Sequence, residues 1–170
     1  MKTVKSIIIF MCALFILGYG LAGAQEINYS GNWALDKAKS TLQGRMSESL
    51  VSLTLVITQK ANDFQAEFQY KYQERDMTDK AALTIGGEQV EREVMNGRGK
   101  AKSKAQLSED KKNVIISTDR TITGQDGGTF TSKVTDKYSL SADGKTLTIN
   151  QESVSERGTR SSTLVFTLQK

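Results

Sequence analysis

From Ser49 to the end of the chain, apolar and polar residues alternate almost without a break. A period of two puts successive side chains on opposite faces, so this pattern specifies half-buried antiparallel strands. Phe64, Ala66, Phe68, Tyr70 and Tyr72 share one face, and Gln65, Glu67, Gln69 and Lys71 share the other. Val114, Ile116, Thr118 and Ile122 follow the same rule, as do Phe130, Val134, Tyr138 and Leu140. Proline is absent, so no strand loses a backbone donor.

Turn signals separate the alternating runs: Ala61-Asn62-Asp63, Gly86-Gly87, Asn96-Gly97, Gln125 to Gly128, Asp143-Gly144 and Gly158. Ten strands are therefore expected, at 31–36, 50–59, 64–72, 79–86, 88–95, 100–108, 113–123, 129–140, 145–155 and 160–169. The stretch 37–49 is irregular and fits a short helix or a loop over one end. The fold class is all-β, a single antiparallel up-and-down meander. A flat meander of this length leaves two long edges, and closure into a barrel removes them. Leu107 to Val114 and Leu140 to Leu147 are similar strand-turn-strand units, two hairpins of one kind.

Turn lengths fix the register, because a slip of one residue reverses every side chain. A tight turn at Asp143-Gly144 sets Tyr138 against Ile149, and one at 109–112 sets Leu107 against Val114. A four-residue turn at 156–159 sets Ile149 against Phe166 and Leu147 against Leu168. Gly86-Gly87 sets Leu83 against Val90, and Phe68 falls against Leu55 and Leu83. The interior then divides by level. One end is large and apolar: Leu55, Ile57, Phe68, Leu83, Ile85, Leu107, Val114, Ile116, Leu140, Leu147, Ile149, Phe166 and Leu168. The other is small or polar: Tyr70, Tyr72, Arg92, Ser103, Thr118, Arg120, Ser132, Ser153, Ser155, Arg160 and Ser162.

Residues 1–24 read as a signal peptide. Lys2 and Lys5 precede an apolar run from Ile7 to Leu17, and Ala22-Gly23-Ala24 is a small-residue cleavage site. The run is shorter than the roughly 20 residues that span a bilayer. Ala24 stands where a lipoprotein signal carries its cysteine, so the mature protein at 25–170 is expected to be soluble, without a membrane span, in the periplasm or secreted.

Removal of Lys2 and Lys5 leaves +2 of the net charge of +4, too little to attract nucleic acid. Cys12 is the only cysteine and leaves with the signal, so no disulfide holds the domain. The chain has no histidine, which excludes a Ser-His-Asp triad, a Cys-His pair and zinc sites built on His or Cys. No cofactor or metal is expected, and a monomer suffices.

Gly31-Asn32-Trp33-Ala34-Leu35, then Asp36-Lys37-Ala38-Lys39-Ser40, opens the mature domain, and the hairpin Tyr138 to Ile149 stands near its end. Together these resemble the small secreted bacterial lipocalin-like domains over essentially the whole mature chain. Those domains open with a G-T-W-K-L-x-x-x-K-S type strand and carry an S-x-D-G-K-x-L-T-I hairpin. The resemblance implies a lipocalin-like barrel in which Trp33 closes the floor. It also implies a late-strand arginine packed over that Trp, for which Arg120 and Arg160 are the candidates, although the register puts both at the far end. The chain departs from classical lipocalins in having no disulfide and no clear C-terminal helix.

Arg92, Arg120 and Arg160, facing inward near Tyr70 and Tyr72, are the candidate ligand-binding residues. A guanidinium takes a carboxylate or phosphate bidentately, and rings supply an apolar wall. The same residues also fit a plain rim whose heads reach water. Asp79, Glu88 and Asp136 are inward acids at different levels and form no catalytic pair, so an enzyme is not expected; Asp136 is placed to hydrogen-bond Gln151. Two functions stay open, a barrel binding a small amphiphilic or anionic ligand at its open end, and a filled barrel acting as an envelope or secreted interaction protein. An internal cavity of a few hundred Å³ separates them.

Overall fold

The computed structural model describes residues 27–43, 49–95, 97–124 and 127–170. The signal peptide at 1–24 lies outside them. Ten strands form one antiparallel sheet: β1 Gly31–Leu35, β2 Leu50–Lys60, β3 Asp63–Tyr72, β4 Arg75–Thr84, β5 Val90–Val94, β6 Gly99–Leu107, β7 Val114–Thr123, β8 Thr129–Leu140, β9 Thr146–Ser155 and β10 Gly158–Leu168. The sheet runs β4-β3-β2-β1-β10-β9-β8-β7-β6-β5. Pairing of β1 with β10 curls the meander into a nearly closed barrel, and β4 and β5 are its two edges.

Several registers follow the sequence reading: Leu55 opposes Phe68, Leu107 opposes Val114, and Tyr138 opposes Ile149. Four expectations are corrected. A two-residue turn at Gln73-Glu74 lets β4 begin at Arg75 rather than 79, so Phe68 faces Asp79 and Leu83 faces Phe64. Leu83 does not pair with Val90, because β4 and β5 diverge after Gly86-Gly87. The last turn is two residues shorter than expected, so Phe166 opposes Leu147 and Leu164 opposes Ile149. Leu107 and Leu168 are exposed at the outer edge of the apolar end. Of the irregular stretch 37–49, residues 44–48 lie outside the described residues; residues 37–39 form a turn, held where the Asp36 carboxylate accepts from the Ala38 and Lys39 amides at 3.1 and 3.2 Å, and Thr41 bridges to Thr163.

The echo between the two hairpins is structural. Ser141 Oγ donates to Asp143 at 2.6 Å while accepting from the Thr146 amide at 2.9 Å, and Asp143 also accepts from the Lys145 amide at 3.1 Å. Ser108, Asp110, Lys112 and Asn113 repeat those bonds. One residue differs: Gly144 has φ 68°, and its counterpart Lys111 is held at φ 56°, a left-handed conformation that costs a side-chain-bearing residue about 1 kcal/mol.

The floor is apolar all round and tightly packed. Trp33, Leu55, Phe64, Val114, Tyr138, Leu147 and Phe166 are buried, each worth about 1.5–3 kcal/mol in removal from water for its aliphatic or aromatic body. Tyr29, just before β1, completes it. Its ring stands edge-on to Phe64 and Tyr138, with centroids 6.2 and 6.5 Å away. Its hydroxyl donates toward the carbonyl of Tyr138 at 3.0 Å, and its own carbonyl accepts from Trp33 Nε1 at 3.1 Å. Trp33, the residue that the resemblance puts at the floor, is buried in this cluster. Among the described residues no arginine lies over it, and the cation–π contact is Arg157 over Phe130 at 5.1 Å.

Candidate functional site

Above the floor the barrel holds a cavity of about 300 Å³. It is lined on one side by Leu50, Leu53, Phe68, Tyr70 and Tyr72 of β2 and β3. The opposite side carries most of the polar groups, Arg92 on β5, Ser103 on β6, Thr118 and Arg120 on β7, Asp136 on β8 and Gln151 on β9, with Ile116, Tyr138, Ile149 and Leu164 below and between them. The expected division of the interior into an apolar and a polar end is therefore only half of the arrangement. Below the cavity the core is apolar; within it, a division by level is joined by one between walls, since most of the polar groups come from β5 to β9. Tyr70 and Tyr72 belong to the apolar wall, because β3 pairs with β2 and β4 on the side away from the polar strands.

Four of the five candidate binding residues line this cavity: Tyr70, Tyr72, Arg92 and Arg120. Arg160 does not. It lies opposite Ser153 on the free stretch of β10 above the end of β1, and its side chain is exposed.

The two arginines differ in what they meet. Arg92 and Arg120 flank Ala101, which pairs with both and is fully buried. Arg92 Nη1 donates to Asp79 Oδ1, and Nη2 reaches Oδ2 at 3.5 Å. This ion pair crosses the gap between the two edge strands. Arg120 has no ion pair or hydrogen bond among the described residues. The Nε atoms of both are buried without a partner, and a buried unpaired donor costs about 1–3 kcal/mol.

Asp136 faces the cavity and accepts from Gln151 Nε2 at 2.8 Å, as its inward placement implied. Burial pushes its carboxyl above the usual range, partly offset by the Gln151 hydrogen bond and the charge of Arg120. Burial also raises Tyr138, with Asp136 and Asp79 acting in the same direction. Tyr70 is raised by burial and by Asp79, against the opposing pull of Arg120 and Arg92. Ser103 and Thr118 satisfy each other at 3.0 Å. Glu88 is exposed and outside the cavity. Among the described residues no group of three or more Asp, Glu, Cys or His is placed to hold a metal ion.

A second space of about 370 Å³ lies at the seam between β4 and β5, beside Ala81, Leu83, Val90 and Arg92. At the floor end the seam is closed by a bridge from Ile85 to Ala105 and by Gly86 N donating to Ala105 O at 2.9 Å. The sequence did not disclose this opening, since Gly86-Gly87 reads as a hairpin. Nor did it disclose Tyr29, although Tyr29, Gly31, Trp33 and Leu35 continue one period-two face.

No family model matches this chain, and no curated protein matches it. Among solved structures it is similar to zebrafish ileal bile acid-binding protein complexed with cholic acid, at 13% identity and a TM-score of 0.56, covering 83% of this chain and 98% of that one. It is similar to human cRBP IV at 15% identity and a TM-score of 0.51, covering 84% and 99%. A secretory abundant heat soluble protein from Ramazzottius varieornatus matches at 10% identity and a TM-score of 0.54, covering 82% and 94%. No described helix is long and apolar enough to cross a membrane. The likeness is one of fold: a ten-stranded antiparallel meander in a nearly closed barrel of the lipocalin and calycin type.

Proposed function

We propose that this protein is an exported carrier of a small amphiphilic acid. The observation that carries the reading is Arg120, whose guanidinium has no ion pair and whose buried Nε has no partner among the described residues, set in a cavity whose facing wall is largely apolar and aromatic. A carboxylate there restores the missing hydrogen bonds. The ligand's alkyl part lies against Leu53, Phe68 and Tyr70. A cavity of about 300 Å³ also favours this reading over a filled barrel. The zebrafish neighbour was crystallised with a carboxylic acid, cholic acid, which fits the same class of ligand. Export rests on the signal-like residues 1–24.

The test is calorimetric titration of the purified protein with decanoate. Binding that weakens at least about tenfold in Arg120→Met, and is unchanged in the rim variant Arg160→Met, supports the proposal. Equal binding in wild type and Arg120→Met overturns it. Export is checked separately, by the N-terminal sequence of protein recovered outside the cytoplasm, expected to start at Gln25.

A further inference from the structure

Accepting the acid-carrier reading, we infer that the ligand is a hydroxylated acid, whose carboxylate meets Arg120 near the mouth and whose hydroxyl meets Asp136 and Gln151 deeper in the cavity.

The placement of the polar groups carries this. Arg120 pairs with Ser132, and Asp136 lies four residues further along β8 toward the floor, about 13 Å along an extended strand. The polar groups therefore reach from the mouth down to Asp136 and Gln151, which are set there among the apolar Ile116, Tyr138 and Ile149. Asp136 Oδ1 accepts from Gln151, while Oδ2 and Gln151 Oε1 have no partner among the described residues. Tyr138 also borders the cavity there. A plain alkyl tail reaching this depth strips water from a carboxylate and an amide and returns no hydrogen bond, the arrangement by which a polar site rejects a ligand lacking the matching group. A hydroxyl donates to Asp136 and accepts from its surroundings. An ammonium is a poorer match, because the charge of Arg120 already acts on Asp136.

Size narrows the class. The cavity of about 300 Å³ is at the small end of small-molecule pockets, with room for a ligand's head to extend into the mouth. That corresponds to a medium-chain acid with the hydroxyl far from the carboxylate.

Calorimetry with decanoate, 10-hydroxydecanoate and 2-hydroxydecanoate tests this. The distal hydroxyl is expected to tighten binding at least about tenfold over decanoate, and the 2-hydroxyl to give no gain. In Asp136→Asn/Gln151→Leu the advantage of 10-hydroxydecanoate falls to less than about threefold while decanoate still binds; Tyr138→Phe serves as a second variant, expected to reduce the advantage in part. Decanoate binding as tightly as 10-hydroxydecanoate overturns this inference and leaves the carrier reading standing. Failure of all three acids to bind overturns both.

Discussion

Removing the Tyr29 side chain is expected to unseat the barrel floor, by an amount that can be worked from its contacts. Tyr29 is 1% exposed, meets two rings edge-on, and directs its hydroxyl to the carbonyls of Tyr138 and Lys112 at 3.0 and 3.3 Å. Tyr29→Phe deletes only the hydroxyl and costs about 1 kcal/mol. Tyr29→Ala deletes the ring as well, and a large aromatic-to-alanine change in a core that cannot collapse costs about 3–5 kcal/mol. The ring cluster has no flexible neighbour to fill the hole, since Phe64 and Tyr138 already contact each other at 5.5 Å. With a urea m-value of about 2 kcal/mol/M, the midpoints fall by about 0.5 M and about 2 M. Trp33 is the only tryptophan and sits against Tyr29, so its fluorescence follows unfolding where the change is made. The m-value should not change. A Tyr29→Ala variant within about 1 kcal/mol of wild type would show that residues before β1 are not part of the core.

Other expectations follow from single sites. Lys111→Gly should stabilise the protein by up to about 1 kcal/mol, because it relieves the left-handed backbone that Gly144 adopts in the twin hairpin; Gly144→Lys should do the reverse, both read by thermal melting. Asp136→Asn should raise stability at neutral pH. The folded carboxyl titrates above its unfolded value, so the native state holds the proton more tightly and stability falls as pH rises from about 4 through the raised folded value. Urea midpoints measured from pH 4 to 7 should show that decline in wild type and lose it in the variant, with Arg120, Arg92, Asp79, Lys80, Tyr70, Tyr72 and Tyr138 as the other ionisable groups lining the cavity. A double-mutant cycle on Arg92 and Asp79 should return a coupling of no more than about 1 kcal/mol, since both side chains are partly exposed, at 21% and 33%. Gly99→Ala should cost about 1–3 kcal/mol, because a Cβ there comes within 2.8 Å of the Thr121 carbonyl, which cannot move without breaking the sheet.

The strands were legible in the sequence because a period of two survives any error in turn length that is even. The shortened final turn moved β10 by two residues, so Leu164 and Phe166 face inward while their partners differ. Registers came out where the turn advertises itself, as at Asp143-Gly144 and at Ser108 to Asn113. They failed at Gln73-Glu74, where Gln73 takes φ 54° with no Gly or Asn to announce it. The site was half legible. Inward facing identified Arg92, Arg120 and the Asp136–Gln151 pair, but which strands face each other across a barrel depends on tilt and closure, which alternation does not encode. For that reason the alternation does not tell that Arg160 lies apart from Arg92 and Arg120, or that the polar groups of the upper level gather on β5 to β9.

The ion pair across the β4–β5 gap bears on the shape of the whole cylinder. A barrel sealed by backbone hydrogen bonds has a girth set by strand number and stagger. Here nine joints are sealed in that way and the tenth is fastened at the floor by Ile85 and Ala105. Higher up it is joined by two side chains. The lower rim is therefore a fixed hoop and the upper part a sprung clip, whose bore can widen by turning two side chains without breaking any rung of the ladder. Salt, which screens partly exposed charges, should loosen the clip and leave the hoop unchanged.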